Sequence, residues 1–412
     1  MNVPISAPSR DAPHASFRIG RRGLLLGLGA SFAAGKSRLA LGEAPGDRRL
    51  VVVLLRGALD GLYAVQPYGD PGLAPLRGPL ALPEPGRGEP GQENALLDLG
   101  GLFGLHPALA NLHAMYQANQ AMVLHAVAGP YRSRSHFEAQ DLLEAGSAQR
   151  LASGWLNRAL QALPPGEQAR TGLAVGTGVP LLLRGAAPVG AYAPPGLDRP
   201  AAELMYRLAA LQEADPRLGP SFAEGMRARG FAAQALGETE TSRERVTFPR
   251  LAGIAGRLLA EAAGPRVAAL ELGGWDTHVG QAGRILGPMR ALDSGLGELR
   301  DSLGEHWTRT AVLVVTEFGR TARINGSMGT DHGTGGVAFL AGGAVAGGRV
   351  LADWPGLAED KLFENRDLQP SLDLRSVAKG LLRDHLRLPE AAVARAFPGS
   401  NAAPAMRGLV RA

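Results

Sequence analysis

No cysteine occurs among the 412 residues. Disulfides, thiolate metal sites and a cysteine nucleophile are therefore excluded, while an oxidising compartment stays compatible. No Gly-x-Gly-x-x-Gly follows a strand-like run, and an iron–sulfur cluster would lack its thiolates, so a redox enzyme with a bound cofactor is disfavoured. No internal repeat is visible. Positive charge is also scarcer than the formal +5 suggests. Arg10, Arg18, Arg21, Arg22, Lys36 and Arg38, set against Asp11 alone, already account for it by residue 42, which leaves the rest of the chain neutral. A neutral body has no surplus to release counterions, so nucleic acid is not an expected partner.

What is present begins with a leader. The basic start is followed by an apolar stretch, Gly23 to Ala34, short of the roughly 20 residues that span a bilayer, and by small residues at Ala40 to Gly42. Residues 1–42 read as an export signal, with no stable membrane span after processing. Arg21-Arg22 ahead of Gly23-Leu24-Leu25-Leu26 is the pattern of the twin-arginine route, which exports folded proteins. Gly20 stands where Ser or Thr is usual, and no Lys closes the motif. The twin-arginine export machinery is thus an expected partner, and the expected location is periplasmic or extracellular.

Residues 43–412 read as one α/β domain with a mostly parallel sheet flanked by helices. Leu50 to Leu55 and Ala311 to Val315 are continuous apolar runs, as expected of strands covered on both faces. Ala121 to Ala128, Leu173 to Val175, Leu181 to Leu183, Arg266 to Leu272 and Gly336 to Leu340 are further strand candidates, and Pro71 to Gly91 reads as a long surface loop. Helical spacing follows Pro107, starts again at Ser135, and recurs through Ile285, Met289, Leu292, Leu296, Leu299 and Leu303. Another helix is expected over Asp373 to Leu386, and an Ala-, Glu- and Arg-rich stretch at about 200–264 reads as a helical insertion.

The strand exits carry the chemistry. Asp60, the pair Asp276 and His278, and Glu317 each follow an apolar run within a few residues, and parallel strands bring such exits to one edge. A glycine-rich return from Thr316 to Gly336 adds Asp331 and His332. Four carboxylates crowded together repel one another unless a cation lies between them. Asp60, Asp276, His278, Glu317, Asp331 and His332 are therefore the expected ligands of a divalent metal ion, with zinc, manganese, magnesium and calcium all open. Ser135 with Glu138 is a capping-box pattern. Ser135 is thus either an N-cap or, with His136 beside it, a nucleophile or oxyanion binder. Arg320, with Arg134, either holds an anion or, in the case of Arg320, partners Glu317.

Together Arg21-Arg22, Gly57-Ala58-Leu59-Asp60-Gly61, Arg134 to Asp141, Gly274-Trp275-Asp276-Thr277-His278 and Thr316 to Thr321 resemble family 1501 of the domains of unknown function. That family is similar to the alkaline phosphatase and sulfatase superfamily, whose α/β core binds one or two divalent metals at strand exits. The resemblance implies an alkaline-phosphatase-like core, metal ligands at Asp60, Asp276, His278, Glu317 and His332 with Asp331, and a nucleophile near Ser135. The sulfatase signature of Cys or Ser before x-Pro-x-Arg is missing after the leader, as is the serine context of alkaline phosphatases, and Phe318 stands where a histidine is frequent. Two functional readings follow. One is an exported metal-dependent hydrolase of phosphate or sulfate esters, with a small anionic ester or a polysaccharide as substrate. The other is a non-catalytic periplasmic binding or structural protein that keeps the hydrolase fold.

Overall fold

In a computed structural model, the apolar run after Arg49 forms strand β1 (Arg49–Leu55), and all seven of its residues are buried. The residues described are 47–88, 94–163, 172–176, 178–193, 236 and 246–411. The expected export signal and most of the expected insertion lie outside them. Among the described residues no helix is long and apolar enough to cross a membrane.

Eight further strands join β1: β2 (Ala121–Ala128), β3 (Gly172–Val175), β4 (Val189–Tyr192), β5 (Val267–Leu272), β6 (Thr310–Thr316), β7 (Gly336–Ala341), β8 (Arg349–Leu351) and β9 (Leu372–Asp373). Their order is β8-β2-β7-β6-β1-β5-β3-β4, with β9 also paired to β2. The central strand β1 is parallel to both neighbours, with Leu50 opposite Val267 on one side and Ala311 on the other. Only β7 reverses, running antiparallel to β6 and to β2, while the other pairs are parallel. The expected class, a mostly parallel sheet flanked by helices, is therefore the one observed. One consequence positions the site: β1, β2, β5 and β6 all end at the same edge, and β7 begins there. The segment from Glu317 to Gly335 thus leaves that edge and returns to it.

Alternation along β1 explains why both faces are covered. Val51, Val53 and Leu55 join one core with Ile254 of α4 (Phe248–Ala260) and with Met289, Leu292 and Leu296 of α5 (Leu286–Leu303). Leu50, Val52 and Leu54 enter a second core with Leu156 of α3 (Trp155–Leu160), Val377 of α6 (Leu374–Gly380) and Val393 of α7 (Glu390–Ala396). Successive residues of a strand point to opposite faces, so an unbroken apolar run requires a helical layer on each. Each fully buried leucine or valine contributes about 1.5–3 kcal/mol relative to exposure. Two further helices are α1 (Ala110–Gln117), whose Asn111 and Leu112 bind Asp293 of α5, and α2 (His136–Ala145), which follows β2 at the site.

Three expectations change. Leu181–Leu183 forms a single 3-10 turn. Pro180 precedes it, and buried side chains bind its backbone, with Glu144 Oε2 accepting from Leu182 N and Asn157 Nδ2 donating to Leu183 O. The strand in that region is the half-exposed β4. Within Pro71 to Gly91, Leu73–Arg77 is a short helix and Gly78–Leu80 a 3-10 turn, because Leu73, Leu76 and Leu80 have a core to enter. The helix expected over Asp373 to Leu386 is α6 followed by π turns over Leu381–His385, and α7 comes after it.

Three buried histidines, His106, His125 and His385, set the acid limit of this frame. Burial lowers each from 6.5 to about 4. His125 shows why: its Nε2 donates to Val65 O at 2.9 Å while Nδ1 accepts from Ala126 N at 2.8 Å, so the ring is held neutral. The unfolded chain takes up these protons first as pH falls below 6.5. Stability should thus be complete above that value and decline toward pH 4, by up to about 1.4 kcal/mol per pH unit for each histidine. Urea midpoints measured with chelator present at pH 7.5, 6 and 5 check this, and a constant midpoint would contradict it.

Candidate metal centre

The residues at the shared sheet edge are arranged around three imidazole rings, and the tautomer of each follows from what it faces. His136, the first residue of α2, turns Nδ1 to Glu317 Oε1 at 2.7 Å. His278, beyond β5, turns Nδ1 to Asp331 Oδ1 at 2.9 Å. His332, on the return to β7, turns Nδ1 to the carbonyl of Arg134 at 3.0 Å. Carboxylates and carbonyls only accept, so Nδ1 of each ring carries a proton, and a neutral ring then has its lone pair at Nε2.

The Nε2 atoms lie close together. His332 Nε2 lies 3.0 Å from His136 Nε2 and 2.9 Å from His278 Nε2. Asp276 closes the group, with Oδ1 at 3.0 Å from His278 Nε2 and 3.4 Å from His332 Nε2, and Oδ2 at 3.7 Å from His136 Nε2. Donor atoms of His136, Asp276 and His332 all lie within 4.8 Å of one another. Acceptors facing acceptors at such separations repel unless a cation is shared. Ligand bonds of about 2.1 Å put neighbouring donors about 3.0 Å apart in an octahedral set and about 3.4 Å apart in a tetrahedral one. The residues present therefore fit a metal ion, and the side chains retain 21 % to 47 % of their exposure, enough for a further ligand to approach.

The surrounding shell explains why the loops take this shape. Arg320, 1 % exposed, acts as the staple. Its guanidinium donates to Ala58 O at 2.8 Å and Gly57 O at 2.5 Å after β1, to Trp275 O at 3.1 Å and Asp276 Oδ1 at 2.6 Å after β5, and to Thr330 O at 3.0 Å. One planar fork thus ties three loops together. Burial by itself would raise the Asp276 carboxyl, but the Arg320 contact outweighs it and the net shift is downward. Glycine allows the final approach: a Cβ at Gly329 would stand 2.2 Å from His278 O, and one at Gly319 would stand 1.9 Å from Gly335 O.

Asp276, His278 and His332 thus meet as the sequence suggests, and the remaining expected residues have different duties. Glu317 is an orienting group: besides His136 it accepts from Gln140 Nε2, Gly57 N and Thr316 Oγ1. Burial pushes its pKa up, but the bonds from His136, Gln140 and Gly57 prevail and hold it at about 2. Asp331 similarly backs His278 and accepts from Asn325 Nδ2 at 3.1 Å, and the His278 bond holds its carboxyl low. Asp60, expected as a ligand, is 1 % exposed and forms an ion pair with the fully buried Arg77 while accepting from Gln281 Nε2 at 2.6 Å. Both expected roles of Arg320 give way to the staple, since its guanidinium is occupied by Asp276 and backbone carbonyls.

Ser135 takes the N-cap position with extended backbone, yet its side chain caps no amide and instead lies at the Tyr131 phenol. Its neighbour His136, expected beside a nucleophile, stands among the metal-facing donors. Gln140 was not singled out in the sequence. The signal was there: it follows His136 by four residues and so shares its helix face.

Fold and site together define an α/β protein with a histidine and carboxylate group able to hold a metal ion at the carboxyl edge of its sheet. The chain belongs to the family described as "Protein of unknown function (DUF1501)", whose model matches residues 113–397. No curated protein matches the sequence significantly. Among solved structures it is similar to Ps i-CgsB in complex with k-i-k-neocarrahexaose, at 11 % identity and a TM-score of 0.36, over 74 % of this chain and 68 % of that one. It is also similar to the phosphonate monoester hydrolase of Agrobacterium radiobacter, at 12 % identity and a TM-score of 0.32, over 83 % and 74 % of the two chains. Likenesses this distant leave the chemistry to be judged from the site itself.

Proposed function

We propose that this chain is an exported metal-dependent hydrolase of phosphate or sulfate esters. The observation that carries the reading is the meeting of His136 Nε2, His332 Nε2 and the Asp276 carboxylate within 4.8 Å of one another at one partly open point, with His278 Nε2 2.9 Å from His332 Nε2. Two imidazoles and one carboxylate, with a third imidazole alongside, suit zinc better than magnesium or calcium, which prefer oxygen. When bound, such an ion supplies Lewis-acid polarisation of an ester oxygen and lowers the pKa of an attacking group.

The chain's own residues prepare that chemistry. Glu317, Asp331 and the Arg134 carbonyl hold the three Nδ1 protons, which aims each ring and makes it a stronger donor. Arg320 holds Asp276 in place and balances its charge. Ser135, which caps no helix amide, remains the side-chain nucleophile to be tested beside a water. Export by the twin-arginine route rests on Arg21-Arg22 ahead of the apolar stretch.

The test is metal content and turnover on a panel of phosphate and sulfate monoesters and diesters, using protein matured in its own host. One tightly held ion together with ester hydrolysis is expected. Glu317→Gln should weaken metal affinity about 10- to 100-fold with the fold intact, because a carboxamide accepts more weakly from His136. Dialysis against a zinc buffer series reads that shift, and unchanged affinity would remove Glu317 from its orienting role. Ser135→Ala should abolish turnover if serine attacks and spare it if water does. Wild-type protein that keeps its ion yet hydrolyses no ester would favour the non-catalytic reading.

A further inference from the structure

An anionic ester needs a cation beyond the metal, and the two arginines expected for that duty, Arg320 and Arg134, are committed, as is the buried Arg77. Arg320 is buried among oxygen acceptors from three loops. Arg134 is paired with Asp367 and Glu364. Arg77 is paired with Asp60 inside the protein.

Arg366 differs from all three. Its Nη2 donates to the backbone carbonyl of His332 at 2.9 Å, so the guanidinium rests on a residue that supplies one of the converging nitrogens. Its other recorded neighbour is Asp367 Oδ1, at 3.4 Å. The other Asp367 oxygen is already filled by Thr334 Oγ1 at 2.8 Å and Arg134 Nε at 2.9 Å. The side chain keeps 41 % of its exposure, and a guanidinium has five N–H donors, so several remain for a ligand. Asp331, which backs His278, feels this positive charge.

The backbone that carries it is also held in place. Glu364 and Asn365, immediately before it, both take left-handed φ values, 54° and 52°, and neither is glycine. Such turns persist where surrounding contacts over-determine them. Here the fixing contacts are Phe363 N to Asp367 O at 2.8 Å and Ala322 N to Arg366 O at 3.0 Å, which join the turn to the loop that carries His332.

We propose that Arg366 receives the anionic oxygens of the substrate while the remainder of the site holds the metal. This inference rests on the hydrolase reading and adds a substrate-binding residue to it. A planar guanidinium beside a metal recognises tetrahedral oxyanions in particular, because it offers paired N–H groups to two oxygens at once.

The test uses full-length metal-loaded protein and inorganic phosphate, measured both by calorimetry and as an inhibitor of aryl phosphate hydrolysis. Arg366→Gln is expected to weaken phosphate roughly tenfold to hundredfold, the range of one or two charge-assisted hydrogen bonds, and to raise KM more than it lowers kcat. Metal stoichiometry should not change. Arg366→Lys, which keeps the charge and loses the fork, should fall between the two. If Arg366→Gln binds phosphate like wild type while wild type turns over esters, this inference fails alone. If both variants lose the metal, Arg366 is a structural tie and the inference fails as well. If wild type neither binds phosphate nor hydrolyses any ester, the hydrolase reading falls and takes this inference with it.

Discussion

Replacing His332 by alanine is expected to abolish metal binding and hydrolysis together while leaving the fold in place. His332 Nε2 is the shared neighbour of the group, 3.0 Å from His136, 2.9 Å from His278 and 3.4 Å from Asp276. Without it the other donors no longer surround a common point. The ring is half-buried at the sheet edge and lies outside the two main cores, so its loss should change stability by about 1 kcal/mol or less. A ligand that binds only the folded state stabilises it by about 2.7 kcal/mol at a hundredfold excess over Kd. Wild-type protein should therefore gain Tm on addition of zinc, and His332→Ala should gain almost none. An equal gain in both would mean that any ion bound there does not depend on this imidazole.

Asp60→Ala is expected to do the opposite, costing much stability and little metal. The carboxylate and its partner Arg77 are 1 % and 0 % exposed. Truncating one member of such a pair leaves the other charge buried without compensation, which costs about 3–5 kcal/mol. Arg77 would retain only its carbonyl contacts to Thr321 at 3.2 Å and Ala322 at 3.4 Å. Gln281 would also lose an acceptor, although its Oε1 still accepts from Thr277 and Thr330. Adding Arg77→Met to Asp60→Ala should recover part of the loss, because an apolar side chain of similar length leaves no unpaired charge. Urea unfolding of the single and double variants measures the cost, and metal analysis of the folded protein tests the assignment. A variant that keeps its midpoint but loses its ion would return Asp60 to the ligand set.

These two residues show how much of the site could be read in advance. Both were visible as ligand types near strand exits, and the adjacency of those exits was correctly implied by the apolar runs before them. Their different fates depend on which atoms each side chain meets. Asp60 meets an arginine 17 residues later, in a region that reads as a surface loop. His332 meets histidines 54 and 196 residues away. Hydrophobic periodicity records which residues are covered and on which face. It carries no record of the partner of a polar atom, which depends on how distant loops are seated.

The sequence by itself determined the α/β layering, because β1 and β6 are apolar without interruption and can be stable only between two helical layers. It likewise placed Asp276, His278 and His332 near one edge. Tertiary structure alone decided that β7 runs antiparallel, which brings the His332 loop back to the edge from which β6 releases Glu317. It also decided that Glu317 and Asp331 stand behind imidazoles, that His136 stands in front, and that Arg320 binds the loops while Arg366 stays accessible. The physical reason is that burial follows from a residue's own chemistry, whereas the work of a carboxylate or guanidinium follows from whatever its few polar atoms face, and strand direction and loop closure set that.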